Sequence, residues 1–378
     1  MKHSILNPCP GLLLMVVITS SAALARDLPP LPTGAKLVLE EDWSEGRIDP
    51  ARWYLPRKKW GQGNHGVSPE NVRIEREMIA GKERHILVCQ ANGDLYDGPV
   101  IGYEGRRTRV GGIVVTRGFF ASGRYEVVMK IGGVEPRDGG PADPMRPKGA
   151  VPAVWTYGYR YVTVTKEGMD SFHAGEPLYN PHLKAYGVGA NEYWSELDFP
   201  EFGKGGDFDK ALYNTFLQNK HQPRTFEVKP MIDGRYHTLT TEWRTKLVPI
   251  EGVSDSQVVE KDGYHWVHDR AVPFDQYLGN PLKRLGKDRY AVHAGDRAVH
   301  YLDGVKVAEN PTFVPSMAAQ LNLGVWLPGW GGPAPWKQST VSFGPVRIWQ
   351  YFDPGDVRGI LIHDIDDTFE ADGAPLKK

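Results

Sequence analysis

The chain is poor in cysteine, with Cys9 and Cys89 the two examples in 378 residues. Cys9 falls in an N-terminal stretch that reads as a cleavable leader, so a mature chain keeps Cys89 alone and has no internal disulfide. Stability must then come from a packed core, which a chain of this length can build in one large domain. Cys89 sits in the alternating run HILVCQA and reads as a small core residue, not a reactive thiol. Net charge is nearly absent as well, at −1 from 45 basic and 46 acidic residues, with a pI near 6.9. No overall field selects nucleic acid or an anionic membrane, and a neutral partner is expected. Long apolar runs are missing. The run from Leu12 to Ile18, preceded by Lys2 and His3 and followed by Ala23-Leu24-Ala25, has the parts of a secretory signal and is too short to span a membrane. A signal peptide over residues 1–25, a Pro-rich lead over 26–36 and a secreted or periplasmic product with no membrane span are expected. Cys9 precedes the apolar run, where it is badly placed for lipid attachment. No long 3.6-residue periodicity and no internal repeat occur, which argues against a helical fold.

Glycine (43), proline (30), tryptophan (11) and tyrosine (17) are abundant. Period-two segments recur along the chain, among them KLVLEEDW, VRIER, HILVCQA, GGIVVTR, GRYEVVMKI, AVPAVWTYGY, YHTLTTEW, LNLGVWL and VSFGPVRIWQY, with turn residues between them. This pattern predicts an all-β jelly-roll sandwich of two antiparallel sheets over residues 37–352. The aromatic content suits a groove whose rings stack on the apolar C–H faces of sugars. Residues 133–149 and 159–192 read as loops, and 245–298 as an insertion with a helix near 274–286. Residues 353–378 read as an acidic, solvated tail.

The stretch WSELDFPEFG concentrates the chemistry. On a strand, alternate side chains share a face, so Glu196 and Asp198 point one way while Leu197 and Phe199 point the other. Strict alternation would send Glu201 to the wrong side, and one extra residue restores its phase. Pro200, with no N–H for a ladder, marks a β-bulge near Phe199 and Pro200. Three carboxylates crowded on an otherwise apolar strand repel one another and resist desolvation, a cost that points to function. Two carboxyl groups facing one sugar are what hydrolysis of a glycosidic bond with retention requires.

With these segments in order, the sequence resembles glycoside hydrolase family 16, the jelly-roll endoglycanases that include laminarinases, lichenases, agarases and carrageenases. The likeness runs from about Leu37 to Tyr351, and its most specific part is the bulged E-x-D-x-x-E strand from Glu196 to Glu201. WGQGN with SPENVRIE, GRYEVVMKI, PAVWTYG, YHTLTTEW, YLDGVKV, LNLGVW and VRIWQY follow in the family's order. The resemblance implies Glu196 as nucleophile, Glu201 as acid/base and Asp198 as the carboxylate that tunes them. It implies Trp155 and Trp194 as sugar platforms, Asn64 and His221 as polar contacts to hydroxyls, and Trp326 at the border of the cleft. A secreted, retaining endo-hydrolase of a β-1,3- or mixed-linkage β-glucan is expected, acting as a monomer on a polysaccharide partner, without nucleic acid. Galactan or a bacterial exopolysaccharide, cleaved or transglycosylated, is the alternative substrate, and a non-catalytic carbohydrate-binding jelly roll or a polysaccharide lyase the competing class. No cofactor and no metal site are expected. Gly344 and Pro345 stand where the family's structural calcium has an aspartate, and Gly111-Gly112-Ile113-Val114 replaces the Ser-Gly-Arg-Ile of laminarinases.

Overall fold

A computed structural model describes residues 27–60, 64–79, 81–103, 105–134, 146–164, 169–170, 191–217, 220–227, 231–261, 264–267 and 282–357. Its strands are β1 (Lys36–Glu41), β2 (Trp53–Tyr54), β3 (Val72–Ile79), β4 (Lys82–Asn92), β5 (Gly112–Phe120), β6 (Gly123–Val134), β7 (Val151–Val164), β8 (Met169–Asp170), β9 (Asn191–Phe202) and β10 (Lys210–Leu217). They continue with β11 (Lys220–Glu227), β12 (His237–Ile250), β13 (Val258–Lys261), β14 (Tyr264–Val267), β15 (Lys283–Gly286), β16 (Arg289–Leu302), β17 (Val305–Asn310), β18 (Ala319–Trp326) and β19 (Gln338–Gln350).

Two antiparallel sheets form the expected jelly-roll sandwich. One runs β15-β16-β12-β6-β19-β4-β3, with β1 on β19 and β17 on β16; the other runs β11-β10-β9-β7-β18-β5-β2, with β8 on β7. The core lies between them and is built by alternation. Leu87, Cys89 and Ala91 of β4, Leu197 and Phe199 of β9, and Leu321, Leu323 and Val325 of β18 all enter it. Tyr125 packs edge-on against Phe199 at 5.5 Å and its hydroxyl donates to the Ala121 carbonyl at 2.7 Å. Trp243, fully buried, donates its indole N–H to the Pro315 carbonyl at 2.8 Å, so a large ring enters the core without an orphaned donor. Cys89 is a free, fully buried thiol whose pKa burial pushes up, as a core residue requires.

Three expectations change. The segment 159–192 is not all loop: β7 runs on to Val164, and Tyr161 and Val162 pair with Glu192 and Asn191 of β9. The described part of the insertion 245–298 is largely sheet, because β12 continues to Ile250 opposite Tyr290 of β16, and β13 and β14 form a separate ribbon. Of the helix expected near 274–286, Lys283–Gly286 is strand β15, paired antiparallel with β16, and 268–281 lies outside the described residues. At the C-terminal end, Val357 donates its backbone N–H to Ser122 Oγ at 3.0 Å, which ties residues 353–357 to the sandwich. The leader and the rest of the tail lie outside the described residues. Among the described residues, no helix is long and apolar enough to cross a membrane.

Candidate active site

β9 carries the acidic trio in the middle of its sheet, between β7 and β10. Asp198 stands opposite Asn214 and Glu201 opposite Leu212, so three steps on β9 span two on β10. The same offset recurs on the other side, where Trp155 faces Asp198 and Ala153 faces Glu201. β9 therefore contains the extra residue of a bulge, and the Phe199–Pro200 peptide within it is cis. Residues directly opposed across a ladder share a face, so Glu196, Asp198 and Glu201 all lie on the side away from the core.

The environment separates their proton affinities. Asp198 is 2% exposed and hydrogen-bonded to Glu196. Burial, then the charges of Glu196 and Glu201, push its pKa well above the usual carboxylate range, and the hydrogen bond with Glu196 acts in the same direction. Burial also raises Glu201, to about 7, against the opposing charge of Lys204 and a hydrogen bond from Trp326. A half-buried carboxylic acid that titrates near neutrality, a few residues from an ionisable partner on the same face, can give and take a proton at neutral pH.

The floor around the trio is a second apolar cluster on the outer face of the sheet, made of Tyr54, Val67, Ile113, Val115, Val151, Ala153 and Trp155. Trp60, Tyr157 and Trp326 pack on it and remain partly open. Trp155 is 5% exposed and meets Trp60 edge-on at 5.9 Å, so it supports the floor and is not an open platform; Trp60 covers it. Trp194 of β9 pairs with Tyr159 of β7, and its side chain lies outside the described residues. Asn64 is turned to the backbone: its amide donates to the Trp60 carbonyl and its oxygen accepts from the Gly66 N–H at 2.8 Å. Its polar atoms are taken up by the backbone of Trp60 and Gly66, which leaves it poorly placed to meet sugar hydroxyls.

His221 is exposed on β11 and stacks on Phe216 of β10 at 5.2 Å and 23°. Glu196, Phe216 and His221 are successive partners across three strands, which puts the histidine roughly 10 Å from the Glu196 backbone on the same face. Trp326 lies at the end of β18 and reaches Glu201. Trp60, Tyr157 and Phe216 were not singled out from sequence. Tyr157 and Phe216 stand in ladder positions beside Glu196, a relation that strand periodicity alone does not reveal without the register. Among the described residues, no three His, Cys, Asp or Glu side chains are grouped to hold a metal.

No protein-family model and no curated protein sequence matches the chain. Among solved structures it is similar to the laminarinase catalytic domain from Thermotoga maritima (15% identity, 84% of this chain and 99% of that one, TM-score 0.49). It is also similar to a prokaryotic β-1,3-1,4-glucanase from a mouse hindgut metagenome (16% identity, 82% and 97%, TM-score 0.45). A third is a glycoside hydrolase family 16 endo-glucanase from Bacteroides ovatus (11% identity, 82% and 99%, TM-score 0.47).

Proposed function

We propose that the protein is a retaining, endo-acting glycoside hydrolase of a β-linked polysaccharide, with Glu196 as nucleophile and Glu201 as acid/base. The observation that carries this reading is the bulge of β9, which phases both glutamates and Asp198 onto one face while burial holds Glu201 near neutrality. In the first step Glu196 attacks the anomeric carbon, Glu201 donates its proton to the leaving oxygen, and the glycosidic bond breaks as the glycosyl ester forms. In the second, Glu201 takes a proton from water, the water oxygen attacks the same carbon, and Glu196 departs as carboxylate. Asp198 stays protonated and steadies Glu196 through their hydrogen bond. The substrate is a β-1,3- or mixed-linkage glucan, with a galactan or bacterial exopolysaccharide as the alternative. The aromatic floor beside the carboxylates supports a sugar polymer in either case. The product of the gene is secreted or periplasmic and acts as a monomer.

The test is release of reducing ends from laminarin, lichenan, agarose and carrageenan by the purified protein. Glu196→Gln is expected to lower turnover by more than ~10³-fold while the fold and polymer binding persist. Unchanged hydrolysis by this variant sinks the nucleophile assignment. Absence of hydrolysis by the wild type on every one of these polymers and on the producer's own exopolysaccharide sinks the enzyme.

A further inference from the structure

Two tryptophans beside Glu201 are built as a unit. Trp326 and Trp330 meet at right angles, 5.7 Å and 83° between rings, and Trp330 is 47% exposed. Trp326 reaches the acid because the positions between them are small. Glu201 stands opposite Ala153, and Ala153 opposite Gly324, two residues before Trp326 on the same face of β18. The indole can lie across β7 and donate its N–H to the Glu201 carboxylate.

The loop that carries Trp330 is fixed. It makes one turn of 3-10 helix, Gly329–Gly331, and the guanidinium of Arg109 spans it. Arg109 donates from Nη2 to the carbonyls of Leu327 (3.2 Å) and Pro328 (3.0 Å), and from Nη1 to that of Gly332 (3.3 Å). Asp94 holds the same guanidinium at 3.2 Å and accepts the Ala334 N–H at 2.7 Å. A large aromatic ring kept half-exposed on a loop clamped at three carbonyls has its binding conformation prepaid, the condition under which stacking yields affinity.

We infer that Trp326 and Trp330 form the subsite for the sugar on the leaving-group side of the scissile bond. The inference rests on the hydrolase reading and deepens it. In double displacement, the proton donor is the carboxyl that touches the leaving oxygen, so the surface beside it and away from the nucleophile meets the departing ring. The Trp corner adjoins Glu201, whereas Glu196 is flanked by Tyr157 and Phe216. Trp330 takes the apolar C–H face of a neutral pyranose, and Trp326 forms the side wall. Trp326 is in addition a positioning residue, since its N–H orients the Glu201 carboxyl. A sugar acceptor that replaces water in the second step occupies the same corner.

Kinetics on two substrates test the subsite: laminarin, and β-laminaribiosyl fluoride, whose small leaving group leaves this subsite empty. If the screen gives another polymer, that polymer and the fluoride of its own disaccharide replace them. Trp330→Ala is expected to lower kcat/KM on the polymer about tenfold more than on the fluoride, and to suppress transglycosylation to added oligosaccharide. Equal losses on both substrates, or no loss on either, overturn the subsite. Trp326→Phe keeps an apolar ring and removes the N–H, so the alkaline limb of the kcat/KM profile moves to higher pH; an unmoved limb overturns the link to Glu201. Wild-type inactivity on polymer and fluoride alike overturns the hydrolase reading and the subsite with it. Wild-type activity with an indifferent Trp330→Ala overturns the subsite alone.

Discussion

Asp198 and Glu201 lie three residues apart on β9, yet their partners Asn214 and Leu212 lie two apart on β10, so both carboxyls face the same side of the sheet. Deleting Pro200 should leave a plain alternating strand that still places the acid on that side. The variant is expected to fold and to keep a fraction of its activity, reduced about 10- to 100-fold by displacement of the proton donor. Inserting a residue after Pro200 has the opposite effect if the strand then alternates from the existing bulge. The glutamate turns towards Phe199 and Tyr125, where an unpaired carboxylate costs several kcal/mol, and both activity and cooperative unfolding should be lost. Circular dichroism and reducing-end assays on the two variants distinguish these outcomes.

The pH profile follows from Glu201. As the donor it must be protonated, and with its pKa raised to about 7 the rate on polymer should fall about tenfold per pH unit above that value. Lys204 is exposed and its charge favours the ionised form. Lys204→Met should shift the alkaline limb upward, and added salt should shift the wild-type limb the same way. A profile flat from pH 6 to 9 would remove Glu201 from the donor role.

The same two carboxyls tax stability at high pH. Asp198 and Glu201 both hold their protons more tightly folded than unfolded. Their contribution is therefore fully present below the unfolded carboxylate pKa near 4 and is lost as pH rises through the folded values. For Glu201 that window runs from about 4.5 to about 7. Glu201→Gln removes the cost of ionising a buried group, so at pH 8 it should be more stable than wild type by on the order of 1–3 kcal/mol, with the gain shrinking toward pH 4. Thermal melts at both pH values read this directly, and a variant less stable than wild type at pH 8 refutes it.

Asp198 acts through Glu196. Asparagine can still donate to the Glu196 carboxylate, whereas alanine cannot and leaves a void on a buried strand. Asp198→Asn is expected to lose about tenfold in kcat and Asp198→Ala about 10³-fold, with little change in KM for either. Equal losses in the two variants would mean that the hydrogen bond is not what Asp198 supplies.

Much of this was legible because alternation is a local property. Leu197 and Phe199 inward with Glu196 and Asp198 outward follows from period two, and Pro200 marks the place where the period slips. Trp155 shows the limit of that reading. Its place on the face is periodic, but its 5% exposure depends on contact with Trp60, a residue distant in sequence whose carbonyl accepts from the Asn64 amide. The strand continuation of 245–250 is not legible in composition, because Thr245–Ile250 pairs with Tyr290–Gly295, a segment far along the chain. The tie between Trp326 and Glu201 needs the register of three strands at once.

That tie also depends on Gly324. A Cβ there would lie 2.4 Å from the Gly112 carbonyl oxygen and 2.8 Å from Ile113 Cα, both backbone atoms of the adjacent strand β5. Neither can yield unless β18 moves away from β5, which carries Ile113 and Val115 of the cleft floor. Gly324→Ala should therefore cost about 1–3 kcal/mol by overpacking, and should lower activity on polymer further by shifting Trp326, two residues on, away from Glu201. Gly286→Ala is the matched control: it sits on strand β15 with nothing within 4 Å of the added carbon, so its effect should stay within about 0.5 kcal/mol. Urea midpoints for the two variants measure the difference. Equal midpoints would mean that β18 and β5 can separate at little cost, and that the seat of Trp326 is not set by the close approach of these two strands.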